Sequence, residues 1–180
     1  MRVISGLAKG RRLLAPRGGG TRPMTDRARE GIFSSLGTVV AGARVLDLYA
    51  GSGSLGLECL SRGAAAVVFV ERSRAALAAL RANVAAVGLG GEVVAEDVAS
   101  FLGRWGGPFD LAFVDPPYAL PLASVEQVLG ALVRLLAGGG TVVLHRRAGE
   151  RLHPPPGLEV VDRRRYGDSE ITRLVKEGVL

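Results

Sequence analysis

The chain has 180 residues, of which 48% are hydrophobic, and 23 basic against 17 acidic side chains leave a formal net charge of +6. That length and apolar content suit a single domain with a sizeable core, and no run of about eighteen uninterrupted apolar residues offers a membrane span. One cysteine (Cys59) excludes an internal disulfide, and together with two histidines it supplies no ligand set at metal spacing, so no metal and no membrane partner are expected.

Residues 1–24 alternate apolar and polar side chains, turn basic at once and are rich in glycine. They read as a basic hairpin or extension ahead of one domain over residues 25–180. The long apolar core of a secretory signal is missing from them, which makes the cytoplasm the expected location. From Thr25 or Asp26, either able to cap a helix, Ala28, Ile32, Phe33 and Leu36 fall on one face until Gly37. After Gly42 the pattern becomes strand, turn, helix. The apolar runs 44–48, 67–71, 93–97, 111–114 and 141–144 predict five strands, with helical stripes between them, including Leu77, Leu80, Val84 and Val87 and the stretch from Ser124 to Leu136. Continuous apolar strands separated by helices indicate a parallel sheet covered on both faces. The tail differs: residues 158–165 and 170–176 are β-like runs around Tyr166-Gly167-Asp168-Ser169, spaced as a hairpin. The expected fold is α/β and Rossmann-like, a seven-stranded and mostly parallel sheet ending in an antiparallel pair.

Two segments carry chemistry. Asp47-Leu48-Tyr49-Ala50-Gly51-Ser52-Gly53 forms a glycine-rich turn after the first strand, where doubly wound sheets bind nucleotide-like ligands. It continues as Gly51-Ser52-Gly53-Ser54-Leu55-Gly56 with Glu71 downstream, which also fits a dinucleotide and hence an NAD-dependent oxidoreductase. Asp47 argues against that, because a carboxylate ahead of the loop repels a pyrophosphate and suits the ammonium of a methionine moiety, directly or through water. Glu71 is expected to accept the ribose hydroxyls, and Asp97, at the end of the third strand, the adenine amino group. Tyr49, Ala50, Gly51, Ser52 and Gly53, with Arg72 and Val98, complete the candidate set for S-adenosylmethionine.

The second segment is Asp115-Pro116-Pro117-Tyr118, which follows the fourth strand. Methylating an aromatic amine requires that its lone pair, otherwise delocalised into the ring, be aimed at the methyl. Asp115 can accept one N–H of the amine. Neither proline has an N–H to donate and both fix φ, so a rigid carbonyl, that of Pro116, is the expected second acceptor. Tyr118 is expected to stack on the base. The positive charge, carried almost wholly by arginine, favours a polyanionic partner and nucleic acid first.

These motifs resemble the S-adenosylmethionine-dependent amino methyltransferases. With Arg2-Val3-Ile4-Ser5-Gly6, Lys9-Gly10-Arg11, residues 21–27, Arg29-Glu30, Phe33 and Tyr166-Gly167-Asp168, the chain resembles the RsmD family of small-subunit ribosomal RNA guanine-N2 methyltransferases. Met24 stands where that family usually has threonine. The resemblance implies transfer of a methyl from S-adenosylmethionine to N2 of a guanine, position 966 of 16S rRNA. That guanine would be turned out into the pocket, with naked small-subunit RNA or its assembling particle as partner and a monomeric enzyme. Lys9, Arg11, Arg12, Arg22, Arg27 and Arg29 would hold RNA phosphates, with Arg163, Arg164 and Arg165 a weaker second patch. Pro-Pro-aromatic motifs also serve enzymes acting on DNA adenine N6 or protein glutamine, and a non-catalytic RNA-binding factor is a further alternative.

Overall fold

The computed structural model describes residues 1–18 and 24–178, so the expectation for Arg22 lies outside the described residues. One sheet dominates. Its strands are β1 (Arg44–Leu48), β2 (Ala66–Glu71), β3 (Glu92–Ala95), β4 (Phe109–Val114), β5 (Leu136–Arg147), β6 (Leu158–Tyr166) and β7 (Ser169–Lys176). They lie in the order β3-β2-β1-β4-β5-β7-β6, with β7 antiparallel to both neighbours and the first five strands parallel. The expected terminal hairpin is therefore present, and β7 returns between β5 and β6.

The helices are α1 (Asp26–Leu36), α2 (Ser54–Ser61), α3 (Arg74–Val87), α4 (Val98–Arg104) and α5 (Leu122–Leu132). The Thr25 hydroxyl accepts from the Ala28 N–H to open α1, and Gly37 closes it with φ of 53°. Ser73 caps α3 in the same way, and Gly88 ends it in the left-handed region. Several boundaries differ from the sequence pattern: β4 starts two residues earlier, and the helix expected from Ser124 to Leu136 spans Leu122–Leu132, with β5 starting at Leu136; two differences have clear causes. β5 is longer than residues 141–144 because it pairs with β7 as far as Arg147. β3 stops at Ala95, because the Asp97 side chain accepts from the Ala99 N–H and caps α4, drawing the chain out of the sheet.

Strand alternation sorts the core into two layers. Val45, Val67, Phe69, Leu111, Phe113 and Val143 pack with Ile32, Phe33, Leu57 and Leu80 of the first three helices. Leu46, Val68, Val70, Ala112, Val114 and Leu144 pack on the other face with Phe101, Leu102, Val125 and Leu129 of α4 and α5. Cys59 belongs to the first layer; burial pushes its thiol well above the usual range and leaves it neutral.

The N-terminal segment is fastened to this body. Arg2 and Arg12 form an antiparallel bridge, while Val3 and Leu13 enter the first core layer. The fully buried Glu58 of α2 accepts the N–H groups of Ile4 and Ser5 at 2.7 and 3.0 Å, and the Ala8 N–H reaches the Ser61 hydroxyl at 2.9 Å.

Candidate active site

The chain runs outward from β1 to β3 on one side and from β4 to β7 on the other, so strand order reverses between β1 and β4. Leu48 pairs with Val114 across that junction. The glycine-rich turn and Asp115-Pro116-Pro117-Tyr118 therefore leave the carboxyl edge side by side, at the topological switch point where open α/β sheets take ligands.

The turn is tight. Tyr49 has φ of 58°, Gly51 57° and Gly53 81°, and a tyrosine in the left-handed region stores strain of about 1–3 kcal/mol, held here by the surrounding hydrogen bonds. The Ala50 N–H donates to the Val70 carbonyl at 3.1 Å, and the Gly51 N–H to Glu71 at 2.9 Å. Gly56 needs its missing Cβ for packing, since one would strike Phe69 and Val67.

Beyond the turn lie two adjoining cavities. The larger, about 780 Å³, is lined by Tyr49, Gly51, Glu71, Arg72, Asp97 and Val98, with Arg17 of the N-terminal segment and Ser124 and Gln127 of α5. The smaller, about 570 Å³, is lined by Ala50, Ser52, Met24, Asp115, Pro116, Pro117, Tyr118, His145 and Arg147. Pro16, Gly18, Tyr49, Gly51, Asp115 and Pro117 border both. Burial, with Asp97 nearby, pushes the Tyr49 hydroxyl up to about 12, so it is a neutral donor at physiological pH.

Two of the residues singled out in the sequence, Asp47 and Arg29, take different positions from those expected, and a third, Asp97, has further partners. Asp47 is 1% exposed and sits beneath the turn, accepting the Gly56 N–H at 3.0 Å, so it joins turn to helix and forms no part of the cavity wall available to an ammonium. Burial holds its carboxyl well above the usual range, and the charges of Asp115 and Glu71 add to the effect. Asp97 is the cap of α4 and is bridged by Arg72 at 3.1 Å, though it still lines the larger cavity. Arg29, expected on phosphate, is 0% exposed; its guanidinium donates to the Arg2 carbonyl and lies 3.9 Å from Glu58, so it braces the N-terminal segment from inside. Lys9, Arg11, Arg12 and Arg27 are exposed.

Glu71 ends β2 as expected. Its carboxylate accepts the N–H groups of Gly51, Arg72 and Ser73, three of about four available lone-pair positions, so it shapes the turn and keeps some capacity for a ligand hydroxyl.

Around Asp115 the sequence missed three neighbours, all at the end of β5. His145 Nδ1 lies 2.8 Å from Asp115 Oδ1. The buried Arg146 donates to the carbonyls of Pro117 at 3.1 Å and Leu120 at 3.0 Å, and is itself held by Glu150 at 2.8 and 2.9 Å. Arg147 sits over the Tyr118 ring, 5.0 Å from its centroid. With the Pro117 carbonyl occupied by Arg146 and the Leu120 N–H, the Pro116 carbonyl is the one of the pair for which the described residues provide no donor. The missed signal was strand register: Val114 pairs with Leu144, so the next residues out, Asp115 and His145, share a face.

The chain is similar to proteins of known sequence and structure. The protein named "Ribosomal RNA small subunit methyltransferase D" from Escherichia coli K12 is 44% identical over 133 residues, 73% of this chain and 66% of that protein, so the chain matches just under two thirds of its length. "Putative rRNA methyltransferase YlbH" from Bacillus subtilis is 36% identical over 99% of this chain and 100% of its own. The structure of "Putative methyltransferase yhhF" from Escherichia coli superposes with a TM-score of 0.89 at 33% identity, over 99% of each chain. The family model described as "Conserved hypothetical protein 95" matches residues 1–175, and the chain belongs to that family, the RsmD family.

Proposed function

We propose that this chain transfers a methyl group from S-adenosylmethionine to the exocyclic N2 of a guanine in small-subunit ribosomal RNA, the guanine at position 966. It acts as a monomer in the cytoplasm, on the RNA or on its assembling particle. One observation carries this reading: the Leu48–Val114 pairing sets a glycine-turn cavity against a second cavity walled by Asp115, Pro116 and Tyr118. The printed names of the relatives support the ribosomal RNA substrate.

The larger cavity fits a cationic, phosphate-free nucleoside. Glu71, Glu96, Asp97 and Asp115 bring carboxylates to its wall, while the positive-φ turn lets the backbone approach closely. S-adenosylmethionine, when bound, supplies an activated methyl on a sulfonium.

The chain's own residues supply position. Asp115 accepts one amine N–H and the Pro116 carbonyl the other, which turns the nitrogen lone pair out of conjugation. Tyr118 stacks on the base and Arg147 covers the tyrosine. The gain is orientation, and no strong base is required, because the nitrogen becomes acidic as it acquires charge. Lys9, Arg11, Arg12 and Arg27, all exposed, offer cations to the RNA backbone.

The test is incubation with methyl-labelled S-adenosylmethionine and unmodified small-subunit particles or RNA, followed by nucleoside mass spectrometry. N2-methylguanosine at one position is expected. Asp115→Ala is expected to bind S-adenosylhomocysteine normally and lose most turnover. Label on an adenine N6 or on a protein glutamine would replace the substrate, and full turnover by Asp115→Ala would remove Asp115 from the chemistry.

A further inference from the structure

We propose that His145 is a positioning residue that fixes the rotamer of Asp115 and commits one named oxygen of that carboxylate to the substrate amine. The inference deepens the reading above and rests on it for the identity of the amine. It stands on geometry: His145 is 6% exposed, lies on β5 in register with Ile171 of β7, and reaches Asp115 Oδ1 at 2.8 Å through Nδ1. Its other nitrogen, Nε2, lies 3.4 Å from the Tyr118 hydroxyl, and the two rings are 5.8 Å apart at 53°.

Proton bookkeeping fixes the direction of this chain. An ionised carboxylate only accepts, so Nδ1 must carry the hydrogen. In a neutral ring Nε2 is then an acceptor, and among the described residues the donor facing it is the Tyr118 hydroxyl at 3.4 Å, which also shares a hydrogen bond with the Ser169 side chain. The order is Tyr118 O–H to Nε2, then Nδ1–H to Asp115 Oδ1. Oδ1 is thereby occupied and Oδ2 is left for the incoming amine. One buried ring thus orients both the residue that accepts the amine N–H and the residue that stacks on the base.

Its backbone gives the ring little freedom to follow a different rotamer. β5 is hydrogen-bonded on both sides, to β4 as far as Leu144 and to β7 as far as Arg147. Arg146, the next residue, clamps the far end of the same loop through the Pro117 and Leu120 carbonyls. β5 therefore holds Asp115-Pro116-Pro117-Tyr118 at both ends, His145 by its first side chain and Arg146 by its third carbonyl.

Two measurements test this. Long-range proton–nitrogen correlation of the imidazoles in ¹⁵N-labelled protein, with His153→Gln to separate the two histidines, is expected to show His145 as the Nδ1–H tautomer. An Nε2–H tautomer would overturn the proposal whatever the enzyme methylates. In steady-state kinetics, His145→Asn keeps an N–H near the Nδ1 position and is expected to stay within a few-fold of wild-type kcat. His145→Leu is expected to lose about 100-fold in kcat, the scale of a misplacement of roughly 1 Å, with S-adenosylhomocysteine affinity unchanged. Equal losses in both variants, or none in His145→Leu, would sink it. Wild-type protein that leaves guanine N2 unlabelled but shows the Nδ1–H tautomer would remove the substrate assignment alone.

Discussion

Asn83 of α3 grips both backbone polar groups of Leu14: its carbonyl oxygen accepts the Leu14 N–H at 2.8 Å and its amide donates to the Leu14 carbonyl at 3.0 Å. The same amide donates to the Ser52 carbonyl at 2.9 Å. A single buried side chain therefore joins the N-terminal segment to the glycine turn. Asn83→Leu leaves three backbone groups without these partners, and a lost buried hydrogen bond costs about 1–3 kcal/mol, less where water reaches the exposed Leu14. A net loss of about 2 kcal/mol lowers Tm by roughly 4–8 °C in a chain of this size. Thermal melts read that shift, and amide exchange at Val3, Leu13 and Leu14 is expected to accelerate. Unchanged protection at Leu14 would show that other contacts anchor the segment.

Tyr118 separates base stacking from cofactor binding, because it lines only the smaller cavity. Removing the ring in Tyr118→Ala is expected to cost about 1–3 kcal/mol of RNA affinity. That corresponds to roughly 5- to 150-fold weaker binding at fixed salt. Tyr118→Phe keeps the ring and the Arg147 contact and loses the hydroxyl's 3.4 Å approach to His145 and its hydrogen bond with the Ser169 side chain, neither of which touches the base, so its RNA affinity is expected to stay close to wild type. Filter binding with a small-subunit RNA fragment checks both. Equal affinity of the alanine variant and the wild type would rule out stacking.

What the sequence revealed follows from which signals are local. The strands, the caps Thr25 and Gly37, the glycine turn and the terminal hairpin rest on periodicity and on residues with special backbone freedom, and each is present. Contacts between distant segments were not legible. Arg29 looks like any other arginine of a basic stretch, and its burial depends on Glu58, 29 positions away, being turned toward it by α2. Asp47 looks like an acid at a strand end, yet the alternation that points Leu46 and Leu48 to one core layer points Asp47 to the other, under α2. His145 stands in the sequence only as one of two histidines, too few for a metal. Reading it at the strand end, level with Asp115, would have found it.

The position of Asp47 also dictates how stability varies with pH. Burial raises its carboxyl well above 3.8, with Asp115 and Glu71 adding to the shift and the Gly56 N–H opposing it. Folding therefore favours the protonated form, so this group's contribution is fully present below the unfolded value and is lost as pH rises through the folded one. Asp47→Asn is neutral at every pH and can still accept from Gly56. Its Tm relative to wild type is expected to be lowest near about pH 4 and to climb as the pH is raised toward 8. Because Asp47 lies outside the cavity wall, S-adenosylhomocysteine affinity is expected to change by no more than a few-fold, in contrast to substitution of Glu71, which faces the cavity. Melts across that range, with calorimetric titration at neutral pH, check both expectations. A Tm difference independent of pH would show that Asp47 ionises as a solvated carboxylate does. A collapse of cofactor affinity in Asp47→Asn would return it to the ammonium-binding role first expected of it.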